Sequence, residues 1–413
     1  NARYPGFGGF IPWIYLNDSG AIPADGWENQ VPGLDNGEMI WGIQAVYVAL
    51  DKIGQTNLSN QYKAYFDMLA KNSLTVFYDG YGRVRAVAMI KDTQAAPTPS
   101  NYYTSSTCGR SCYLDDPYEG EMMTFFMDLY GEWGSEINQR EDLWIYKRKM
   151  LRKVEYVLPP NFPKMVEEAQ HNNQVPKVQK QSLSKMLQQW KEAGSPSSIS
   201  VQEGFWFSSH EQWKYLELPY LDVPVNQRVF FNGERARTWN SALIGVPGLF
   251  ASVTDVSAKP NENPDYQSAM GIASIAFQPI LVNTTITPYG SFPVWLTGSQ
   301  GVGAAWYHSM LTGPSMQGPL GSTESGNLTG TAISPVVTWD SKISTLGAIL
   351  GGIADFTRSA LQRDGHYPRF KYIIEREWSR VFPTLNGELL PFALPVVPIP
   401  QTLGDFPTCT SSS

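Results

Sequence analysis

Along most of the chain the apolar positions recur every three to four residues, the period at which one face of an α-helix is buried. In EMIWGIQAVYVALDKIG, Met39, Ile40, Ile43, Val46, Leu50 and Ile53 mark such a face. The period returns at 61–74, 119–133, 138–156, 179–192, 209–218, 236–252, 266–278, 300–311, 343–362 and 368–381. Two short alternating runs, LTVFYDG and RVRAVAMI, predict a single β-hairpin at about 74–90. The stretch up to Asp35 is rich in Gly, Pro and aromatics (YPGFGGFIPW) and reads as irregular. The charged, polar segment 160–200 predicts a helix pair lying on the surface.

Ten or more helices joined by long Gly/Pro/aromatic loops, with few strands, predict a mainly α fold. A double ring of helices, the (α/α)6 toroid, fits best, with residues 1–413 as one catalytic domain. Its inner helices bury apolar faces on both sides, and long loops at one end build a cleft. No heptad is sustained, which excludes a coiled coil. Strand–helix units do not alternate, which argues against a TIM barrel or a Rossmann sheet. No repeat of fixed length appears, which argues against a regular solenoid.

Composition narrows the partners. The 413 residues are 42% hydrophobic and only 17% charged, with 13 Trp, 21 Tyr and 19 Phe, as a large core and an aromatic-lined surface require. A net charge of −7 disfavours nucleic acid and anionic lipid, which need basic patches. No apolar run approaches the ~20 residues of a membrane helix. The expected partner is a neutral ligand, and the expected state a monomer. The start at Asn1, with neither Met nor an apolar leader, reads as the mature form of a secreted protein. Sequons at Asn17, Asn57, Asn283 and Asn327 offer sites for N-glycans. Cys108 and Cys112 flank a short loop, CGRSC, that favours a local disulfide, while Cys409 sits in the tail; three cysteines cannot all pair internally.

Candidate chemistry concentrates between Gly204 and Val253. Glu211, Glu217, Asp222 and Glu234 lie there among Phe205, Trp206, Phe207, Trp213, Tyr215, Tyr220 and Trp239. Sugars offer hydroxyls to carboxylates and CH-rich faces to rings, and a glycosidic bond is typically cut by two carboxyl groups. The histidines His171, His210, His308 and His366 are scattered, without HExxH or paired-Cys spacing, so no metal is expected. P-loop, GxGxxG and GxSxG motifs are also absent, which weakens NTPase, dehydrogenase and α/β-hydrolase readings.

Each candidate has a structural alternative. Ser208 or Ser209 can cap a helix whose first turn carries Glu211, and there the glutamate serves either as an acid at a cleft or as a complement to the helix dipole. Glu234 lies between Asn232-Gly233 and Arg235/Arg237; an adjacent arginine lowers a carboxyl pKa, so the residue reads as a structural ion pair or as a substrate-orienting group. Asp35 and Glu38 form a capping-box-like start of the first helix, which still permits sugar contact. Asp115, Asp116, Glu119 and Glu121 exceed what capping needs and are expected in part at the cleft. Tyr289, Phe292, Trp295, Trp306 and Tyr307, set among tight Gly/Pro turns, suit aromatic walls for an oligosaccharide or simple loop packing. Asp405, the only acidic residue after Glu388, matters only if the tail folds back over the cleft.

At these residues the chain resembles the fungal endo-β-1,2-glucanase family of glycoside hydrolases and, more distantly, the bacterial glycoamylase-like domain that includes bacterial β-1,2-glucanases. SSHEQWKYLELPYLDVP is similar to the bacterial YNEYMLVYLLALGSP-type segment, which puts Glu211 on its glutamate. NGERARTWNSALIGVPGLFAS is similar to the HQYSHVWIDFRG-type segment, with Glu234 in place of Gln. GIASIAF followed by ITPYGSFP resembles the WGLTAS and APTAAISSLPF elements, so the likeness spans mainly 200–330. The resemblance implies an (α/α)6 fold and inverting hydrolysis of β-1,2-glucan without a cofactor. It implies Glu211 as the acid and a late aspartate as the base. That base falls on Asp405, with Asp116 in reserve. The substrate-binding set expected alongside is Asp35, Asp116, Glu119, Trp206, Glu234, Tyr289, Trp295 and Trp306. Two other readings stand beside it: a polysaccharide lyase on the same toroid, using His308 beside Tyr307, and a non-catalytic carbohydrate-binding protein.

Overall fold

The computed structural model describes residues 4–17, 20–107, 112–116, 120–207, 210–245, 253–254, 266–267, 269–280, 285–297, 300–312, 316–318, 321–327, 331–334 and 338–395. Thirteen α-helices lie among them: α1 Gly33–Lys52, α2 Thr56–Phe77, α3 Glu121–Tyr130, α4 Leu143–Met150, α5 Phe162–His171, α6 Lys177–Glu192, α7 Trp213–Glu217, α8 Pro224–Ile244, α9 Phe292–Leu296, α10 Gln300–Leu311, α11 Trp339–Ile349, α12 Ala354–Arg363 and α13 Tyr367–Val381. Strands are few and short, and no sheet among the described residues exceeds three strands. The mainly α character expected from the periodicity is therefore the observed one. Among the described residues no helix is long and apolar enough to cross a membrane.

The chain divides into two compact units: residues 1–151, 217–220 and 353–377 form the first, and 152–216, 221–352 and 378–413 the second. In the first unit α1 packs against α2, α3 and α12. Partners on several sides explain why α1 buries Ile40, Trp41, Ile43, Gln44, Tyr47 and Val48 together rather than along one stripe. Trp41, Phe66, Phe126 and Tyr130 meet edge to face or tilted around it, the arrangement aromatic quadrupoles prefer. In the second unit the strands Lys153–Val157 and Ser198–Gln202 pair antiparallel, and the latter packs on α8. Tyr156, Phe162, Ile199, Val201, Trp239, Ile275 and Leu390 form the core beneath them. Residues 390–393 are laced onto the helices: Trp239 Nε1 donates to Pro391 O at 2.9 Å and Trp306 Nε1 to Ala393 O at 2.8 Å.

The structure corrects several expected elements. No full hairpin forms at 74–90. Val76 and Phe77 are buried in the last turn of α2, in phase with Phe66, Leu69 and Ser73. Only a bridge from Tyr78 to Val84 spans the turn, and Val87–Ile90 is the central strand between Gln30–Pro32 and Tyr102–Tyr103. Tertiary pairing thus overrides the local alternation. A true hairpin, Ile14–Asn17 with Gly20–Pro23, occupies part of the stretch read as irregular. The period at 138–156 breaks after Met150, and the β-branched alternation in KVEYV pairs as a strand instead. Residues 266–278 hold a two-residue strand and a 3-10 turn, not a helix. The run 343–362 is two helices, because Gly351 and Gly352 adopt φ of 90° and 80°, which a helix cannot continue through. Asp35 is not the cap of α1; Pro32 is, and Asp35 lies in the first turn. The surface pair expected at 160–200 is α5 and α6, joined by Gln170 Nε2 donating to Lys180 O and Ser184 Oγ.

Candidate active site

Glu211 sits in the 3-10 turn His210–Gln212 that leads into α7. The segment before it fixes its carboxylate. Gly204 N donates to Ile275 O, and Phe277 N and Gln278 N donate back to Gly204 O and Phe205 O. The backbone then folds tightly: a Cβ on Gly204 would lie 2.6 Å from Phe207 N, so only glycine fits. Phe207 takes a left-handed φ of 71°, a conformation that costs a side-chain-bearing residue about 1–3 kcal/mol and clusters at functional sites. The result is a pair of adjacent N–H donors, from Trp206 at 3.2 Å and Phe207 at 3.0 Å, both on Glu211 Oε1. Glu211 is 9% exposed.

One helical turn on from Glu211, Tyr215 donates its hydroxyl to Oε1 of Glu234 at 3.1 Å. Glu234 projects from α8 and is 1% exposed. Arg237 Nη1, one turn along α8, approaches the same oxygen at 3.5 Å, while its Nη2 donates to Gly290 O at 3.2 Å. Oε2 of Glu234 is buried without a hydrogen-bond partner among the described residues. Burial pushes the Glu234 carboxyl above the usual range; Arg237 and the Tyr215 hydroxyl pull it down, and the Glu211 charge pushes it further up. The neighbouring arginine does pull this pKa down as expected, but burial penalises the charged form more than one guanidinium at 3.5 Å favours it, so the net shift is upward. Burial, and the charge of Glu234, likewise push the Tyr215 phenol well up. Glu211, Tyr215, Glu234 and Arg237 thus form one electrostatic group.

Beside them a small pocket is lined by Glu234, Arg237, Thr238, Asn240, Ser241 and Gly290, among others. Trp306 also lines it, with its indole N–H spent on Ala393 O. Trp206 stands next to the Glu211 anchor, its ring edge-on to Phe205 at 4.5 Å. Tyr289 is wholly buried and stacks parallel to Phe292, centroids 6.5 Å apart. Trp295 is half-buried on α9, tilted against Tyr307 at 5.9 Å. Of the other expected residues, Asp35 and Asp116 belong to the first unit. Asp35 is exposed and accepts a hydrogen bond from Trp13 Nε1 at 3.2 Å. Asp116 is half-buried, and its backbone carbonyl accepts from Lys147 Nζ at 2.6 Å. Glu119 and Asp405 lie outside the described residues, as do Ser208 and Ser209. Glu217 is counted with the first unit, and burial pushes its carboxyl well up. Cys112 is disulfide-bonded; Cys108 and Cys409 both lie outside the described residues.

Residues 1–169 and 161–410 match the model of the endo-beta-1,2-glucanase SGL family. The chain belongs to this endo-β-1,2-glucanase family. It is therefore a glycoside hydrolase, and the lyase and non-catalytic readings fall away. Among solved structures it is similar to an endo-β-1,2-glucanase from Talaromyces funiculosus in complex with sophorose, with a TM-score of 0.84 at 37% identity, covering 99% of this chain and 76% of that one. It is equally similar, with a TM-score of 0.84 at 38% identity over the same shares, to a Glu-to-Gln variant of an endo-β-1,2-glucanase from that organism in complex with β-1,2-glucan. No curated protein sequence matches the chain. The fold class of this glucanase-family member is the α/α toroid that the helix pattern predicted.

Reading the residues alone passed over Tyr215 and Arg237 as members of the site. Their spacings carried a signal: Tyr215 lies four residues after Glu211, and Arg237 three after Glu234, so each pair shares a helix face. The link from Tyr215 to Glu234 spans 19 residues and arises only from tertiary packing.

Proposed function

We propose that the protein is a secreted endo-acting hydrolase of β-1,2-glucan that inverts the anomeric centre. Glu211 gives its proton to the leaving glycosidic oxygen as the bond from that oxygen to the anomeric carbon breaks. A water molecule adds to that carbon from the opposite face and loses its proton to a second carboxylate. Asp405 is the proposed base, with Asp116 in reserve; the former lies outside the described residues. Trp206, Trp295 and Trp306 are the proposed sugar-facing set. The observation that carries the reading is the fixing of Glu211 by two backbone N–H donors in a backbone turn that only glycine and a strained Phe207 permit.

The test is product analysis on β-1,2-, β-1,3-, β-1,4- and β-1,6-glucans, with the anomer formed followed by NMR. Short oligosaccharides from the β-1,2-polymer alone, released as the α-anomer, are expected. Initial release of the β-anomer would overturn inversion, and products from another linkage would overturn the substrate. Export is supported by the four sequons, of which Asn57 is exposed on α2, and by the disulfide at Cys112. A mass loss on enzymatic removal of N-glycans from protein produced in a fungal host is expected; an unchanged mass there removes the glycan part of the proposal.

A further inference from the structure

One group of exposed rings has no part in the chemistry above. It lies in the first unit, at the hairpin Ile14–Asn17 with Gly20–Pro23. Trp13, just before the hairpin, is 52% exposed and stacks on Trp27, with centroids 4.3 Å apart and planes 28° apart. Both rings hang from the open end of the hairpin: Ala24 N donates to Trp13 O at 2.7 Å, and Trp27 N to Ala24 O at 2.8 Å. Trp13 Nε1 donates to Asp35 Oδ2 at 3.2 Å. Trp27 therefore covers one face of the Trp13 ring and leaves the other to solvent, beside a carboxylate that is itself exposed. Tyr15, 53% exposed, follows two residues on. The period of two puts it on the same face of the strand, about 7 Å further along.

A ring already fixed by a stacking partner and a hydrogen bond loses little freedom when a ligand lands on it. The surrounding charge sets the class of that ligand. From Tyr4 to Asp51 the chain holds no Lys, Arg or His. Asp25 and Glu28, which flank Trp27 in sequence, are exposed, as is Asp35. Such a field repels nucleic acid and anionic lipid. What it offers is a flat apolar face with carboxylate acceptors, and that suits a neutral molecule with CH-rich faces and many hydroxyl donors. The polymer on which this family acts is of that kind. We propose that Trp13, stacked on Trp27 and tied to Asp35, is a platform for a β-1,2-glucan chain. One glucose face packs on the free face of Trp13, a hydroxyl donates to Asp35, and Tyr15 carries the chain onward. The platform holds polymer and takes no part in breaking the bond. The inference rests on the β-1,2-glucan reading of the substrate.

The experiment compares the wild type with Trp13→Ala, Trp13→Phe and Asp35→Asn. Initial rates are taken over a range of β-1,2-glucan concentrations. Native gels are cast with and without the same polymer, each substitution being placed in a Glu211→Gln background so that the polymer survives the run. Trp13→Ala raises KM roughly 3–10-fold with kcat within about twofold, and it migrates through the glucan gel with less retardation. Asp35→Asn moves both readouts the same way by less. Trp13→Phe keeps a ring on Trp27 and recovers most of the retardation, which a mere loss of fold would not allow. The ring is half in water, so the urea midpoint of Trp13→Ala stays near that of the wild type. An unmoved KM and unmoved migration in Trp13→Ala overturn the platform. So does a wild type that elutes as a dimer and a Trp13→Ala that elutes as a monomer with KM unchanged, since the rings then join two copies of the chain. A wild type that leaves β-1,2-glucan intact fails the substrate reading, and the ligand named here with it. Normal wild-type turnover with no effect of Trp13→Ala fails the platform alone.

Discussion

Two acid clusters in this molecule use the same residue types to opposite ends. In the first unit Asp128, Glu141 and Glu377 are met by Arg140, Arg148, Arg369 and Arg376. Arg369 grips Asp128 at 2.9 and 2.8 Å and reaches Glu141 at 2.6 Å. Arg148 grips Glu377 at 2.8 Å through both ends of its fork. Burial pushes Glu141 and Glu377 upward, but the guanidiniums outweigh it and hold both carboxyls below the usual range. In the second unit Arg237 stands 3.5 Å from one oxygen of Glu234, burial outweighs it, and Glu234 is pushed up. Where guanidiniums outweigh burial the acid gives up its proton; where burial outweighs them it keeps it.

The sharpest way to break this contrast is to remove one acid from each cluster. Glu211→Gln keeps an oxygen for the Trp206 and Phe207 N–H donors, so the fold should hold, with the urea midpoint close to that of the wild type. Loss of a general acid lowers kcat by about 10²- to 10⁴-fold, read from initial rates on β-1,2-glucan. Asp128→Ala does the reverse. It leaves Arg369 with Glu141 alone of the two acids it grips and strips Trp144 Nε1 of its acceptor at 2.9 Å. Stability falls by about 3–5 kcal/mol in urea titration, while kcat of the folded fraction stays within about twofold. A catalytic loss in Asp128→Ala without loss of stability would dissolve the distinction.

That contrast was only half visible in the residues. α6 and α10 fall where the period predicts, α6 because one polar and one apolar face leave a clean stripe on a surface helix. The first twelve residues of α8 do not, since Asn226, Asn232 and Glu234 are buried and interrupt the apolar period with polar side chains. The same burial is what makes Glu234 chemically unusual, so the feature that hid the helix start is the feature that marks the site. Glu211 could be singled out as a candidate because its motif is local. The arginine cluster could not, because its ends, Arg148 and Glu377, lie 229 residues apart.

Acid titration of stability sharpens the comparison with a smaller effect. Glu377 has a depressed pKa in the folded state, so its contribution is complete above the ordinary carboxylate value of 4.5 and is lost as pH falls through the depressed value. Glu234 has a raised one. The native state keeps that proton longer than the unfolded chain, so stability drops as pH rises from 4.5 through the raised value and then levels off. Urea midpoints from pH 3 to pH 8 should therefore diverge. Glu377→Gln flattens the acidic side, and Glu234→Gln removes the decline above pH 4.5, each on the order of 1–2 kcal/mol across its window. The same sign of change in both variants would contradict the opposite polarity of the two clusters.

Salt gives the smallest effect and a separate axis. In the first cluster Glu141 is 48% exposed at its side chain and Arg376 27%, so ions reach this end of the network. Pairs this wet contribute roughly 0.2–1 kcal/mol and are screened over about 3 Å at 1 M salt. Raising sodium chloride from 0.05 to 1 M should cost the wild type about 0.5 kcal/mol in urea unfolding, a loss that Glu141→Gln no longer shows. Glu234 and Arg237 are 2% and 8% exposed, too dry for that screening. The salt dependence of unfolding should therefore be the same in Glu234→Gln as in the wild type, and a smaller one in that variant would make the two clusters alike.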